Sequence, residues 1–425
     1  MTQPTSFTRR KLLHSAACGA ALVSLSSIAN AASAAASTQG AAPSETLPAL
    51  QAWLALMSTE RPAIASQPFA SASLTKEESA AARELLWKDF VATSKTQREE
   101  EWKGRLLKAA DQEMKFDVRV FGDKPEGGRS LFISMHGGGG APPRVNDQQW
   151  ENQKRLYRPD EGVYIAPRAP TNTWNLWHEA HIDPLFERLI TGAVLFEEVN
   201  PDRVYLMGYS AGGDGVYQVA PRLADRFAAA SMMAGHPNEA SPLGLRNLPF
   251  CIHCGANDKA YNRNQVCEAW GKQLDELQKA DPEGYEHYWK LHEGKGHWMH
   301  RQDAEALPWM IKFTRNAAPK KVVWRQDDVT RPSFYWLAME ESARKAGVEV
   351  RAAANGNQIT LETADPASLT IRLDDRLVDL DAPVRVASGD KTLFEGRLQR
   401  TIGLLAKTLA EREDPQLMFA AEIEL

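Results

Sequence analysis

Cysteine is scarce, four in 425 residues, which excludes a small disulfide-stapled scaffold. No apolar run approaches the roughly 20 residues that a membrane-spanning helix needs. Basic residues do not dominate: 50 Lys and Arg face 55 Asp and Glu, a net charge of −5, and no long basic run stands out. That balance argues against a nucleic-acid partner. No repeat of 20–50 residues recurs. His292, His297 and His300 lie close together but lack an acid or cysteine at a recognised ligand spacing, so neither a metal nor an organic cofactor is expected.

What is present begins with Thr8-Arg-Arg-Lys-Leu-Leu13, a weak Ala/Ser/Leu stretch to about Ile28, and the small-residue runs Ala29-Asn-Ala31 and Ala32-Ser-Ala34. Paired arginines, an apolar middle and an A-x-A exit resemble a twin-arginine export signal, so residues 1–34 are expected to be removed and the protein to be periplasmic or secreted. Removal takes away Arg9, Arg10 and Lys11 and no acid, leaving a net charge of about −8. The mature chain would keep Cys251, Cys254 and Cys267 and hold no stable membrane span. Cys251-Ile-His-Cys254 lies in an apolar run. In a strand, positions three apart face opposite ways, so core cysteines are expected rather than a redox or metal pair.

The rest divides by texture. Residues 35–114 read as a linker and a helical segment, with helices over Leu47–Ser58 and near Thr75–Ala109, the second opening on the capping-box pattern Thr75-x-x-Glu78. The charged Arg98-Glu-Glu-Glu-Trp102 in its middle reads as a solvated face. Over 115–318, short apolar runs (Leu131–Met135, Gly162–Ala166, Arg203–Met207, Phe227–Met233, Leu248–Cys254, Tyr285–Leu291) alternate with helical stretches. This predicts an α/β domain with a mainly parallel sheet covered on both faces. Over 319–425 the runs become short and alternating, separated by turns such as Asn355-Gly356 and Gly389-Asp390, which predicts a small β-rich domain. Ligands of such parallel sheets sit beyond the carboxyl ends of the strands.

Four strand ends carry chemistry. Arg203–Met207 leads into Gly208-Tyr-Ser210-Ala-Gly212, a G-x-S-x-G turn that lifts a serine hydroxyl above a sheet. Leu131–Met135 runs into His136-Gly-Gly-Gly-Gly140, whose bare backbone can aim N–H groups at an oxyanion. Leu248–Cys254 ends in Gly255-Ala-Asn-Asp258, and Tyr285–Leu291 leads to Gly294-Lys-Gly-His297-Trp298. Residues 116 to about 315 therefore resemble the α/β-hydrolase superfamily, especially secreted esterases of the polyhydroxybutyrate-depolymerase, feruloyl-esterase and predicted-peptidase type. The resemblance rests on HGGGG, GYSAGG and the chain order serine, acid, histidine. It implies Ser210 as nucleophile, His297 as base, Asp258 as the acid that orients it, and an oxyanion hole from Gly137, Gly138 and the N–H of Ala211. His136, Tyr209, Trp174, Trp177, His236 and Trp298, near these strand ends, are expected to contact substrate.

Alternatives weigh against each assignment. Ser210 could be only a helix N-cap; Asp214 and Asp225 rival Asp258, and His292 and His300 rival His297. A phosphate cradle at 208–215 lacks the Lys-Ser/Thr ending of a P-loop. The reading is a serine hydrolase acting on small-molecule or polymeric carboxylic esters. The rivals are a serine peptidase or amidase with the same triad, and a non-catalytic binding protein whose β-rich region takes a carbohydrate, polymer or partner.

Overall fold

The structure, a computed structural model, describes residues 45–425; the expected signal segment and the start of the linker lie outside the described residues. Helix α1 (Thr46–Leu54) precedes the long α2 (Lys76–Lys103). At the start of α2 the Thr75 hydroxyl accepts from Glu78 N–H at 3.1 Å while Thr75 N–H donates to the Glu78 carboxylate at 2.9 Å, satisfying two backbone donors reciprocally. This helix stops at Lys103, not near Ala109. Arg105 adopts φ 52°, and Leu106–Ala109 turns back as a strand, β1.

β1 pairs as an antiparallel hairpin with β2 (Gln112–Phe121). The main sheet continues through β3 (Arg129–Met135), β4 (Gly162–Pro167), β5 (Val199–Tyr209), β6 (Ala229–Met233), β7 (Phe250–Gly255) and β8 (His287–His292). These eight strands lie in the order β1-β2-β4-β3-β5-β6-β7-β8. From β4 to β8 every pairing is parallel. Helices α3 (Pro143–Gln153), α4 (Ile182–Phe196), α5 (Ala211–Arg222), α6 (Arg263–Ala280) and α7 (Ala306–Met310) make the connections and flanks. Strands β3 to β7 read as continuous apolar runs because both of their faces are buried.

The chain builds from β3 toward β4 and then restarts on the opposite side at β5, so the strand order reverses between β3 and β5. Such a reversal opens a crevice at the carboxyl ends of the two strands. Their register aligns those ends: Met135 sits opposite Gly208, and Gly208 opposite Met232.

Beyond Ala318 the expected β-rich region forms two sheets. One takes β16 (Lys391–Gly396), β15 (Val384–Ser388), β13 (Gln358–Thr363), β12 (Glu349–Asn355) and β9 (Lys321–Arg325), in that order. The other takes β10 (Ser333–Phe334), β11 (Leu337–Met339), β14 (Leu369–Leu373) and β17 (Ala421–Glu424). The pairing is antiparallel except between β13 and β15. Helix α8 (Ile402–Arg412) packs with α1 and α2, burying Leu50, Ala82, Leu86, Ile402, Leu405 and Leu409 in one cluster.

The main core does not stop at Ala318. One apolar cluster runs from Ile133, Leu206 and Val216 into Trp324, Trp336 and Ile371. Where the two parts meet, buried ions pair. Arg226 and Arg315 both reach Asp414 Oδ2, at 2.6 and 2.7 Å, and Arg412 reaches Asp225 Oδ2 at 2.7 Å. Asp225, considered as a triad acid, is thus taken up by this joint. The charged stretch of α2 is not a purely solvated face either: Arg98 pairs with Glu413, and Glu101 with Arg188 at 2.7 Å.

Candidate active site

Ser210 occupies the N-cap position of α5, yet its side chain makes no capping bond. Its backbone is held at φ 60°, ψ −122°, a conformation costly for a residue with a side chain. Glycines make the bend possible. A Cβ on Gly208 would lie 2.2 Å from Gly212 O, and one on Gly212 would lie 2.2 Å from Met135 O, well inside van der Waals contact. Ser210 N–H donates to Met233 O at 2.9 Å, tying the turn to β6. The hydroxyl, released from capping, lies 3.0 Å from His297 Nε2.

His297 reaches that point from the loop after β8. Gly255, at the end of β7, lets this loop settle against it, since a Cβ there would sit 2.0 Å from Gly296 O. Asn257 N–H donates to Lys295 O at 2.7 Å and Ala256 N–H to His292 O at 3.0 Å. These bonds set the two loops side by side, and His297 Nδ1 meets Asp258 Oδ2 at 2.7 Å. Asp258 is buried whereas the His297 side chain is 43% exposed. Nδ1–H therefore donates to the carboxylate, leaving Nε2 free to accept from Ser210. Below the ring, Tyr209 OH donates to His297 O at 2.6 Å and accepts from Met299 N–H at 3.0 Å.

The glycine loop after β3 lies against the serine: a Cβ on Gly137 would stand 3.0 Å from Ser210 Cβ. Its shape is set by Asn146 of α3, fully buried, whose Oδ1 accepts from Gly139 N–H at 2.8 Å. Asn146 Nδ2 donates to Ala141 O and to Asn172 Oδ1. Gly138, at φ 112°, leaves room for that amide, since a Cβ would overlap Asn146 Oδ1 at 2.2 Å. Ala211 is the first residue of α5, so its N–H has no partner within the helix.

Two of the expected substrate contacts fall elsewhere. His136 is fully buried: Nδ1–H donates to Gly137 O at 2.6 Å and Nε2 accepts from Ala169 N–H at 3.1 Å. Burial pushes its pKa down to about 4. Both ring nitrogens are occupied, so His136 supports the glycine loop from beneath. Trp177 is likewise fully buried, its Nε1–H donating to His136 O at 2.9 Å. Nearness to a strand end in sequence could not tell a side chain aimed at the crevice from one aimed into the core.

The remaining expected contacts line two cavities that meet at Ser210. One, of about 390 Å³, is bounded by Gly138, Gly139, Trp174, Ala211, Asp214, His236, Tyr261 and Arg263. The other, of about 570 Å³, is bounded by Gly137, Gln149, Gln153, Tyr209, His297 and Trp298. A larger cavity, of about 770 Å³, takes in His300 and excludes the serine. His292, the other rival base, points away into a buried cluster with His253.

Asp214 sits in the first turn of α5, where its Oδ1 accepts from His236 N–H at 2.6 Å. Burial raises its pKa to about 6. Arg263 went unnoticed in the sequence. Its side chain is 12% exposed, and it lies 3.9 Å from Asp258 Oδ1 and over the Tyr261 ring. Its Nε has no hydrogen-bond partner among the described residues. Tyr261 and Asn262, both at left-handed φ, bend the chain so that Arg263 opens α6 at the cavity wall. Five residues after a strand-end acid, at a helix start, was the one available signal.

The parallel sheet reversing beside the serine, the strand–turn–helix that carries it and the order of its partners decide the architecture. The fold is that of an α/β-hydrolase. No protein-family model matches the chain, and no curated protein matches it. Among solved structures, a thermostable esterase is 19% identical over 49% of this chain and 62% of its own, with a TM-score of 0.36; the match thus spans less than two thirds of that protein. A ferulic acid esterase from the anaerobic fungus Anaeromyces mucronatus is 14% identical over 49% of this chain and 88% of its own, TM-score 0.36. A fluorophosphonate-binding serine hydrolase of Staphylococcus aureus is 14% identical over 47% and 92%, TM-score 0.32.

Proposed function

We propose that this protein is an exported serine hydrolase that cleaves carboxylic esters through an acyl-enzyme. The observation that carries the reading is the imidazole of His297, 3.0 Å from Ser210 Oγ and 2.7 Å from Asp258 Oδ2. As Ser210 Oγ attacks the substrate carbonyl, its proton passes to His297 Nε2, and Asp258 stabilises the imidazolium. The N–H groups of Ala211 and of the Gly137–Gly138 segment receive the oxyanion, placed where charge develops. His297 returns the proton to the departing alcohol; water then repeats the sequence to release the acid. The two cavities flanking Ser210 supply separate room for the acyl and alcohol parts.

Arg263 favours a second reading. A guanidinium with a buried, unpartnered Nε in the cavity that holds Ser210 is a docking group for a carboxylate, as on a peptide terminus or an acid-bearing ester. Export through the twin-arginine signal belongs to the proposal and is tested by replacing Arg9 and Arg10 with lysine; undisturbed export of that precursor would sink it. Catalysis is tested by intact mass after fluorophosphonate treatment, beside Ser210→Ala. A single adduct in the wild type, absent in the variant and suppressed by short-chain aryl esters, is expected. A folded wild-type protein without adduct would overturn the reading.

A further inference from the structure

A second cluster, at the ends of β7 and β8, is one that the hydrolase chemistry does not use. His253 of β7 is fully buried and His292, at the end of β8, nearly so. Strand register explains their meeting. His253 pairs with Lys290 and Gly255 with His292, so the two histidines are diagonal neighbours on one face of adjacent strands. His253 Nδ1 and His292 Nε2 stand 3.1 Å apart. Glu305, from the turn Gln302–Glu305, brings Oε1 to 3.6 Å from His253 Nδ1, and one ligand atom from each of the three lies within 4.8 Å of the other two.

We propose that His253, His292 and Glu305 form a divalent transition-metal site of the zinc type. Two imidazole nitrogens and a carboxylate oxygen are a recognised zinc donor set. With bonds of about 2.0–2.1 Å at tetrahedral angles, neighbouring donor atoms lie about 3.3 Å apart. Two of the three donor pairs, at 3.1 Å (a hydrogen-bond distance without the ion) and 3.6 Å, bracket that figure, and the third lies within 4.8 Å. The surroundings fit as well. Cys251 Sγ lies 2.9 Å from His253 Nε2, a partner of the kind that orients a metal-bound imidazole. Binding at Nδ1 moves the His253 proton to Nε2, where it is donated to the sulfur. Asp303, fully buried beside this cluster, leaves Oδ1 without a hydrogen-bond partner among the described residues, a negative end that a nearby cation would stabilise. Glu305 is 38% exposed, and its carboxylate already accepts from Lys290 Nζ at 2.8 Å and from Tyr288 OH at 3.4 Å, bonds that an ion would share or displace.

The site would act as a clamp. His292 immediately precedes and Glu305 follows the segment 293–301 that carries His297. Within it, Gly294 and Gly296 have no atom within 4 Å of where a Cβ would stand, and the segment is held by backbone bonds to the loop after β7 and by Tyr209 OH. A metal joining 292 to 305 closes this loop at its base and holds the imidazole on Ser210. That consequence rests on the proposed role of His297; the metal site does not.

The test uses the mature full chain, stripped with a chelator and titrated with Zn²⁺ by calorimetry and with Co²⁺ by visible absorption. One equivalent of each, a tetrahedral Co²⁺ spectrum and a higher Tm are expected. Glu305→Gln and His292→Gln should each weaken binding by at least about 100-fold, while His300→Ala should leave it unchanged. Absence of stoichiometric binding, or binding that survives both ligand variants, would overturn the site. Ser210→Ala should bind zinc as wild type does, and fluorophosphonate labelling of wild type should slow about tenfold without metal and recover with it. A bound metal with no labelling change would remove the clamp; no labelling in either form would remove the hydrolase reading and leave the metal result standing.

Discussion

The main sheet and the C-terminal sheets share one apolar core, but they place their strained backbone differently. In the first, left-handed φ at Ser210, Ala234, Asn238, Tyr261 and Asn262 gathers on the serine's side of the sheet, while other such residues, including Ala110, Asp111 and Glu198, stand at turns elsewhere. In the second, beyond Ala318, the non-glycine residues with left-handed φ are Tyr335 and Glu413. Tyr335 N–H donates to Asp225 at 3.0 Å, and Glu413 pairs with Arg98 and precedes Asp414. Beyond ordinary turns, strain in the first region borders open cavities, and strain in the second lies where it meets the rest of the molecule. It persists where surrounding contacts over-determine the backbone.

The contrast breaks most sharply through activity. Ser210→Ala should lower kcat by about 10⁶ with Tm unchanged, since the hydroxyl makes no capping bond; a comparable loss of Tm would give the serine a structural role. At the joint, Asp414→Ala should do the reverse. It leaves Arg226 and Arg315 buried without a shared acceptor and should cost about 3–5 kcal/mol, measured by urea unfolding, while the folded fraction keeps its kcat. Loss of activity ahead of unfolding would mean that the joint shapes the site.

Smaller effects sharpen the same division. Asn146→Ala frees the glycine loop and should cost about 10²-fold in kcat, read with short-chain esters. Arg263→Met should raise KM for an ester bearing a free carboxylate and leave a neutral ester untouched; equal effects would return Arg263 to a purely structural role beside Asp258.

Acid separates the regions by pH. Burial lowers the pKa of His136 to about 4, so the unfolded chain binds a proton there that the folded one refuses. Stability contributed by its neutral form is complete above about 6.5 and declines as pH falls below it. Asp414 is buried, which raises its pKa, but Arg315 and Arg226 outweigh this and hold it at about 2. Its contribution stays whole above about 4 and is lost as pH falls through 2. Tm should therefore drop between pH 6.5 and 4, and His136→Gln should flatten that slope; an unchanged slope would assign the early loss elsewhere.

Much of this was legible in the residues, for physical reasons. Parallel strands buried on both faces are unbroken apolar runs, so β3 to β7 could be placed within a few residues. Glycine-rich strand ends marked the loops that carry Ser210, Asp258 and His297, because backbone approach there leaves no room for a Cβ. Side-chain direction was not legible: His136 and Trp177 face inward, and β1 hid behind a helix with no break stronger than Gly104. Asn146 and Arg263 meet partners nearby in the chain, but through loop turns that no periodicity marks, and Glu305 meets His253 from far off in the chain. The histidines near 297 offered no metal spacing, since His253 joins His292 only through sheet register.

The packing of α2 on α8 has a consequence for synthesis. Residues 76–103 are among the first described segments to leave the ribosome, and they complete their apolar cluster only with Ile402, Leu405, Leu409 and Met418. Until then the face of the N-terminal helices that α8 covers stays open, so a transport route engaged earlier would meet a chain whose opening segment lacks part of its core.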